Sequence, residues 1–331
     1  MKDFKWGIIG TGQIAGAFAN DCRLATFKGH TIHAVLGHTL DKAKAFASQE
    51  KAPQYFDNLD MFLQKSDIDA VYIATPHAMH YKEVLQCLAH KIPVLCEKPM
   101  TINKKQVTAI IAAANQHTTF LMEGMWIRFL PSIKKVLSLI DDDAIGNVLC
   151  VKADMSYRAP HEPGSRFFTP EKGGGSLFDL GIYPVYLAHL LLGKPNAIQA
   201  WARLTDKQID EGCAALFQYN NGAYAIIESS LLIQTSWEAV IYGDKGKIII
   251  HRPWNEMPRS IELVHYDGKT TPHHCEWQGR GLQYEIDEVY NCIQQGKIES
   301  EHFCHHFSLD LIDTMDEIRK QTGIQYAEDA Y

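Results

Sequence analysis

Three side chains in this chain of 331 residues are of types that together could carry a proton to or from an alcohol: Lys98, Asp179 and Tyr183. Lys98 ends the run Val94-Leu95-Cys96-Glu97-Lys98-Pro99. The apolar residues ahead of it read as a strand. Pro99 disfavours helical geometry at the residue before it, so the lysine is held at a strand end. Placed there, it can donate a proton or act as a fixed charge that favours the ionised form of a neighbour. Taken alone, it reads as no more than a surface lysine in a turn. Asp179 and Tyr183 lie in Gly173-Gly174-Gly175-Ser176-Leu177-Phe178-Asp179-Leu180-Gly181-Ile182-Tyr183-Pro184, and four residues apart they would share a helical face. The run from 177 to 192 is apolar nearly all round, which marks a buried segment. A buried carboxylate is costly without a donor, so Asp179 must meet a lysine, a tyrosine or a substrate hydroxyl. Pro184 has no N–H and implies a kink or break beside Tyr183. Spacing alone also admits a capping carboxylate and a packed tyrosine.

A second motif supplies a partner for such chemistry. Trp6-Gly7-Ile8-Ile9-Gly10-Thr11-Gly12-Gln13-Ile14-Ala15 puts a G-x-G-x-x-A pattern between a strand and a helix. Gly10 permits the tight turn, and Gly12 lets backbone approach a pyrophosphate without a Cβ in the way. Ala15 keeps helix and sheet close, while the N–H groups around Thr11, Gln13 and Ile14 open towards phosphate. The motif stands in the strand–turn–helix context that supports a dinucleotide site, with further βα units after it. An NAD site usually carries an acid at the end of the second strand. Here that position reads Gly37-His38-Thr39, and no acid occurs before Asp41. With nothing to repel a 2′-phosphate, and with His38, Thr39 and Lys42 able to contact one, the expected cofactor is NADP, with NAD second. A histidine is nevertheless a poorer phosphate partner than an arginine.

These residues need elements to position them. Over the first third, strands at 4–10, 31–36, 70–74 and 92–96 alternate with helices at 13–20, 41–50, 80–90 and 103–117, the second capped by Thr39 or Asp41. That alternation implies a doubly wound parallel sheet, a Rossmann domain over residues 1–120. Beyond 120 the pattern changes to strands at 148–157, 197–204, 214–219, 223–230, 237–242, 247–250 and 260–265. Turn signals at Asn220-Asn221-Gly222 and Gly243-Asp244-Lys245-Gly246 imply hairpins. The expected fold class is thus α/β: a Rossmann domain, then an α+β domain over 121–331 with an open, mostly antiparallel sheet. Helices are expected near 174–192, 282–295 and 306–321.

Composition narrows the function classes. A net charge of −7 argues against a nucleic-acid surface. No stretch reaches the roughly 18–20 uninterrupted apolar residues of a membrane span. The start, Met1-Lys2-Asp3-Phe4-Lys5-Trp6, runs directly into a strand and leaves no room for a signal peptide. Eight scattered cysteines without a CxxC pair read as reduced thiols, so a cytoplasmic location is expected. His302-Phe303-Cys304-His305-His306 and His273-His274-Cys275 lack zinc-motif spacing, and no metal is expected.

The combination resembles the glucose–fructose oxidoreductase, inositol dehydrogenase and rhizopine-catabolism (Gfo/Idh/MocA) family. The matching pieces are Gly10-Thr11-Gly12, Ala74-Thr75-Pro76 with His80, Glu97-Lys98-Pro99, and Gly173-Gly174-Gly175 followed by Asp179-Leu180-Gly181. Tyr183, in place of a histidine, and Met122-Glu123-Gly124-Met125-Trp126-Ile127-Arg128-Phe129 are similar to the branch of dimeric dihydrodiol dehydrogenases and NADP-dependent D-xylose dehydrogenases. Gly281-Leu282-Gln283-Tyr284-Glu285 and Met315-Asp316-Glu317-Ile318-Arg319 are similar too. That branch has an arginine where His38 stands.

The resemblance implies cofactor contacts at Thr75, Pro76, His80, Glu97 and Lys98, and a substrate cavity near Trp126 and Arg128. It also implies a homodimer or tetramer built on the open face of the second sheet. The expected reaction is reversible hydride transfer between nicotinamide and a hydroxyl- or carbonyl-bearing carbon of a sugar or cyclic diol. Tyr183 is the expected base, Lys98 the cation beside it or the base itself. Asp179 would orient the lysine or bind a second substrate hydroxyl, and Trp126 would stack on the ring. A non-catalytic dinucleotide sensor of the same fold is the alternative, and the fold alone does not exclude it.

Overall fold

The computed structural model describes residues 3–160, 162 and 165–330. The first two residues of the expected leaderless start, Met1 and Lys2, therefore lie outside the described residues, as do His161, Pro163 and Gly164. The chain divides into two compact units: Met1–Phe129 with Gln278–Leu309, and Leu130–Trp277 with Asp310–Tyr331.

The first unit alternates strand and helix: β1 (Phe4–Ile9), α1 (Gln13–Cys22), β2 (His30–Leu36), α2 (Leu40–Glu50), β3 (Gln54–Phe56), α3 (Leu59–Lys65), β4 (Ala70–Ile73), α4 (His77–Ala89), β5 (Val94–Glu97), α5 (Lys104–His117) and β6 (Leu121–Gly124). Its six strands run in the order β3-β2-β1-β4-β5-β6, every neighbouring pair parallel. This is the doubly wound Rossmann order. Helices cover both faces of such a sheet, so its central strand β4, Ala-Val-Tyr-Ile, is buried at all four positions. In α1 the buried residues Ala15, Phe18, Ala19 and Cys22 recur at helical spacing and form its inner face. Asn58 and Asn103 cap α3 and α5. At α2 the sequence left two capping residues open, and the cap is Thr39, which accepts from the Lys42 N–H.

The boundary expected at 120 is corrected in two ways. β6 and the turn Trp126–Phe129 belong to the first unit, and so does the distant segment Gln278–Leu309. The physical reason is hydrogen bonding and aromatic packing at long range. The Leu121 N–H donates to Ile298 O at 3.0 Å, and the Asp287 carboxylate accepts from both the N–H and the hydroxyl of Thr26. Tyr290 stacks on Phe27 at 4.5 Å between ring centroids. A change in local pattern carries no signal of such a return.

The second unit opens with α6 (Pro131–Asp141) and is built on β7 (Val148–Ser156), β8 (Ala197–Leu204), β9 (Asp210–Gln218), β10 (Tyr224–Ser230), β11 (Ala239–Gly243), β12 (Gly246–Ile250), β13 (Ser260–His265) and β14 (Thr270–His274). The sheet order is β14-β13-β12-β11-β7-β10-β9-β8, antiparallel except for the β7–β10 pair. Gly222, at φ +83°, makes the β9–β10 hairpin as its sequence predicts. β3, α3, β6, α6 and β14 were not legible: β3 is only three residues long, and β14 holds a proline and polar residues on an edge.

Beneath this sheet lies the apolar run. It forms a π-helical turn (Leu177–Gly181) that passes directly into α7 (Ile182–Leu192). The span Pro170–Leu192 is long and apolar enough to cross a membrane by length and composition, yet most of it is buried inside the fold. Its entry is fixed by Asp210, which accepts from the Ser176 hydroxyl and the Leu177 N–H, both at 2.6 Å. Gly175 stands beside that carboxylate at φ +122°, and a Cβ there would fall 2.3 Å from Oδ1. Gly175→Ala is therefore expected to cost roughly 2–4 kcal/mol, from left-handed strain plus displacement of a buried carboxylate. Urea unfolding monitored by tryptophan fluorescence measures it; an unchanged midpoint would refute the strain.

Candidate active site

Parallel strands release their chains at one edge, and in the first unit each expected site segment follows a strand end there. Gly10 follows β1 at φ +107°, where a Cβ would lie 2.6 Å from Ala74 O, so only glycine fits. A Cβ on Gly12 would meet nothing within 4 Å, because Gly12 borders open space. Thr11, Gly12, Gln13 and Arg280 line a groove of about 640 Å³ there. Gly12 is the N-cap of α1 and has no side chain to satisfy the first-turn N–H groups. A glycine cradle over an uncapped helix start fits a dinucleotide pyrophosphate. Ile14 is half-buried behind it, and Ala15 is fully buried against the sheet. At the end of β2, His38 and Lys42 are exposed, and Gly37 packs so tightly that a Cβ would come within 2.8 Å of the Ala43 nitrogen.

Lys98, 8% exposed, follows β5, and its surroundings hold the backbone on both sides of it. His80 is wholly buried, with Nδ1 3.0 Å from Pro99 O and Nε2 2.9 Å from Thr75 O. The Met100 N–H donates to Glu123 at 2.9 Å. Glu97 accepts from the Tyr72 hydroxyl and from the Lys98 N–H. Enclosed, with both ring nitrogens facing backbone carbonyls, His80 ties the turn after β4 to the turn after β5. The Thr75 hydroxyl likewise points inward and donates to Glu83. Pro76 is the N-cap of α4. Trp126 follows β6 and is buried, with the Arg280 guanidinium 5.4 Å from its ring centroid. Arg128 donates through Nε to His302 O at 3.0 Å.

In the second unit Asp179 and Tyr183 are both buried. Asp179 does meet a donor: Arg166 reaches it with two nitrogens, at 2.8 and 3.3 Å. Such a fork is among the stronger charge-assisted pairs. Arg166 was missed by sequence reasoning. The need for a donor was legible, but a residue thirteen positions upstream in an irregular loop cannot be placed from pattern. The same charge acts on Tyr157 and Tyr183, and the Tyr157 hydroxyl is pushed up by burial first and by Asp179 second. Asp179 sits in the π-helical turn, not the plain α-helix its spacing suggested. Such turns are frequent at functional sites.

Among the described residues no group of three or more His, Cys, Asp or Glu side chains is arranged to hold a metal ion.

Glu123 carries a measurable consequence. Burial pushes its carboxyl from an ordinary 4.5 up to about 7, against the opposing hydrogen bonds from Ser308 and the Met100 N–H. Between about pH 4.5 and 7 the unfolded chain gives up this proton while the folded chain keeps it. Folded stability therefore falls as pH rises through that window. Glu123→Gln retains an acceptor for Met100 and removes this part of the slope. Relative to wild type it should gain up to about 3 kcal/mol between about pH 5 and pH 8 in urea unfolding. Parallel stability curves for the two proteins would contradict the assignment.

Comparison with known proteins places this geometry in context. Residues 4–125 match the family described as an oxidoreductase family with an NAD-binding Rossmann fold, and residues 133–249 match the GFO/IDH/MocA C-terminal domain. The chain is similar to a Xenopus laevis protein named trans-1,2-dihydrobenzene-1,2-diol dehydrogenase, 32% identical over 97% of this chain and 99% of that one. A human protein of the same name is 29% identical, covering 98% of each chain. Among solved structures, the fold is similar to a 3-ketoreductase from Actinomadura kijaniata in complex with NADP and TDP-benzene. Its TM-score is 0.86 at 21% identity, covering 97% of this chain and 98% of that one. It is also similar to the aldose-aldose oxidoreductase of Caulobacter crescentus complexed with glycerol, with TM-score 0.85 at 22% identity, covering 100% and 99%.

Proposed function

Because the chain belongs to the Gfo/Idh/MocA oxidoreductase family, we propose that it is an NADP-dependent dehydrogenase or reductase acting on a hydroxyl- or carbonyl-bearing carbon of a cyclic diol or sugar. The observation that carries this reading is the open groove over Gly12 at the uncapped start of α1, on the strand edge that also bears Lys98. When bound there, the dinucleotide supplies a nicotinamide carbon that takes or returns a hydride. NADP is preferred over NAD because the turn after β2 and the first turn of α2 bear His38, Thr39 and Lys42, with no carboxylate before Asp41. The diol or sugar class follows the names of the full-length relatives and of the structural neighbours.

Tyr183 takes the hydroxyl proton in oxidation and returns it in reduction. A cation favours a phenolate, and Lys98 of the first unit is assigned that role or that of the base itself. Asp179, paired with Arg166, orients the lysine or binds a second substrate hydroxyl. Trp126 and Arg128 border the substrate. Turnover is read as absorbance at 340 nm with NADP or NAD against aldoses, polyols and cyclic trans-diols. Tyr183→Phe and Lys98→Met should each lower kcat by about 10²- to 10⁴-fold while dinucleotide affinity persists. Wild-type turnover in either variant would remove these residues from the mechanism. Tight NADP binding without turnover of any substrate in the panel would favour a sensor.

The same reading includes a homodimer in the cytoplasm. Trp201 (65% exposed), Tyr224 and Ile226 lie on one open face of the second sheet, an apolar surface of the kind that partners cover. Trp201→Glu should shift the protein from dimeric to monomeric mass in size-exclusion chromatography with light scattering. An unaltered dimer would exclude this face as the interface.

A further inference from the structure

The segment beginning at Gln278 lies outside both matched stretches, which end at residues 125 and 249. Its residues Gly279 and Arg280 nevertheless line the groove over Gly12. Three consecutive N–H groups, of Arg280, Gly281 and Leu282, donate to one oxygen of Asp21 at 2.9, 2.9 and 3.0 Å. Asp21 is buried on α1, the helix whose first turn carries the glycine motif. Gly279 allows this close approach: at φ +70°, a Cβ would come within 2.3 Å of Oδ1 of Asp21. The backbone of the strap is thereby fixed to α1.

The side chain of Arg280 extends from that fixed point. Its guanidinium lies over the Trp126 ring at 5.4 Å from the centroid, a contact that restrains the group. Charge balance in the groove then decides its use. Thr11, Gly12 and Gln13 contribute no cation, and the helix start offers only about half a positive charge. Asp21 is the acid among the lining residues; one of its oxygens accepts the three N–H groups, and the Arg280 charge favours its ionised form. Arg280 is the cation among the described lining residues.

We propose that Arg280 is a cofactor-binding residue that donates to the diphosphate bridge of the dinucleotide, supplied by a strap distant in sequence from the Rossmann motif. The proposal rests on the reading that this groove takes a nicotinamide dinucleotide. A planar guanidinium matches phosphate oxygens in a two-pronged way that an ammonium does not.

The test is NADPH binding followed by fluorescence titration at several salt concentrations, with wild type, Arg280→Met and Arg280→Lys. Circular dichroism checks that each variant is folded. Arg280→Met should weaken NADPH binding by about 10- to 100-fold and flatten its salt dependence, with partial recovery in Arg280→Lys. Competition by adenosine 2′-monophosphate, which lacks the diphosphate, should be unaffected. Equal NADPH affinity in wild type and Arg280→Met would overturn the proposal while leaving the functional reading standing. So would a matching loss of adenosine 2′-monophosphate binding, since the effect would then not arise at the diphosphate. A wild-type protein that binds no dinucleotide at all would sink the functional reading and this inference together.

Discussion

Parallel pairing is the constraint on which the candidate site depends. Two parallel strands cannot be joined by a tight turn, so each must release the chain at its carboxyl end and recover it through a crossover. In the first unit every neighbouring pair is parallel. Gly10, Gly37, Thr75, Lys98 and Trp126 therefore emerge along one edge, although they are spread over more than a hundred residues. The ladder brings them together, and each brings a different property: a turn, a close approach, a charge, an aromatic face.

An edge made of loops still has to satisfy its backbone, and here buried side chains do so. His80 faces the carbonyls of Thr75 and Pro99, Glu123 takes the Met100 N–H, and Asp21 takes three N–H groups from the strap at 280–282. Burial of so many carboxyls is costly, and the cost falls on their charged forms. Glu83 and Glu123 are each pushed up to about 7, chiefly by burial. Glu285, fully enclosed, is raised well above the ordinary range by burial and then by the charges of Glu97 and Asp21. Neither of its oxygens has a hydrogen-bond partner in the structure. In return, the backbone around Lys98 has few ways to move.

The second unit uses the same device on a different framework. Asp210 anchors the start of the π-helical turn, and that turn carries Asp179 to Arg166. The antiparallel sheet above it buries one face on α7. The other face displays Trp201 and Ile226.

Much of this is legible in the sequence. The G-x-G-x-x-A turn, the strand before Lys98 and the apolar run around Tyr183 follow from local rules: glycine where a Cβ cannot fit, proline limiting its predecessor, hydrophobic period. Such rules act over a few residues, so strands, helices and both sheet types could be read from the chain itself. Three decisions belonged to the tertiary structure alone. Arg166 as a partner of Asp179, His80 as a buried tie between two turns, and the return of 278–309 to the first unit all depend on which distant groups meet. A buried carboxylate announces that it needs a donor, but sequence does not say which donor, because hydrogen bonds and packing are settled by proximity in space.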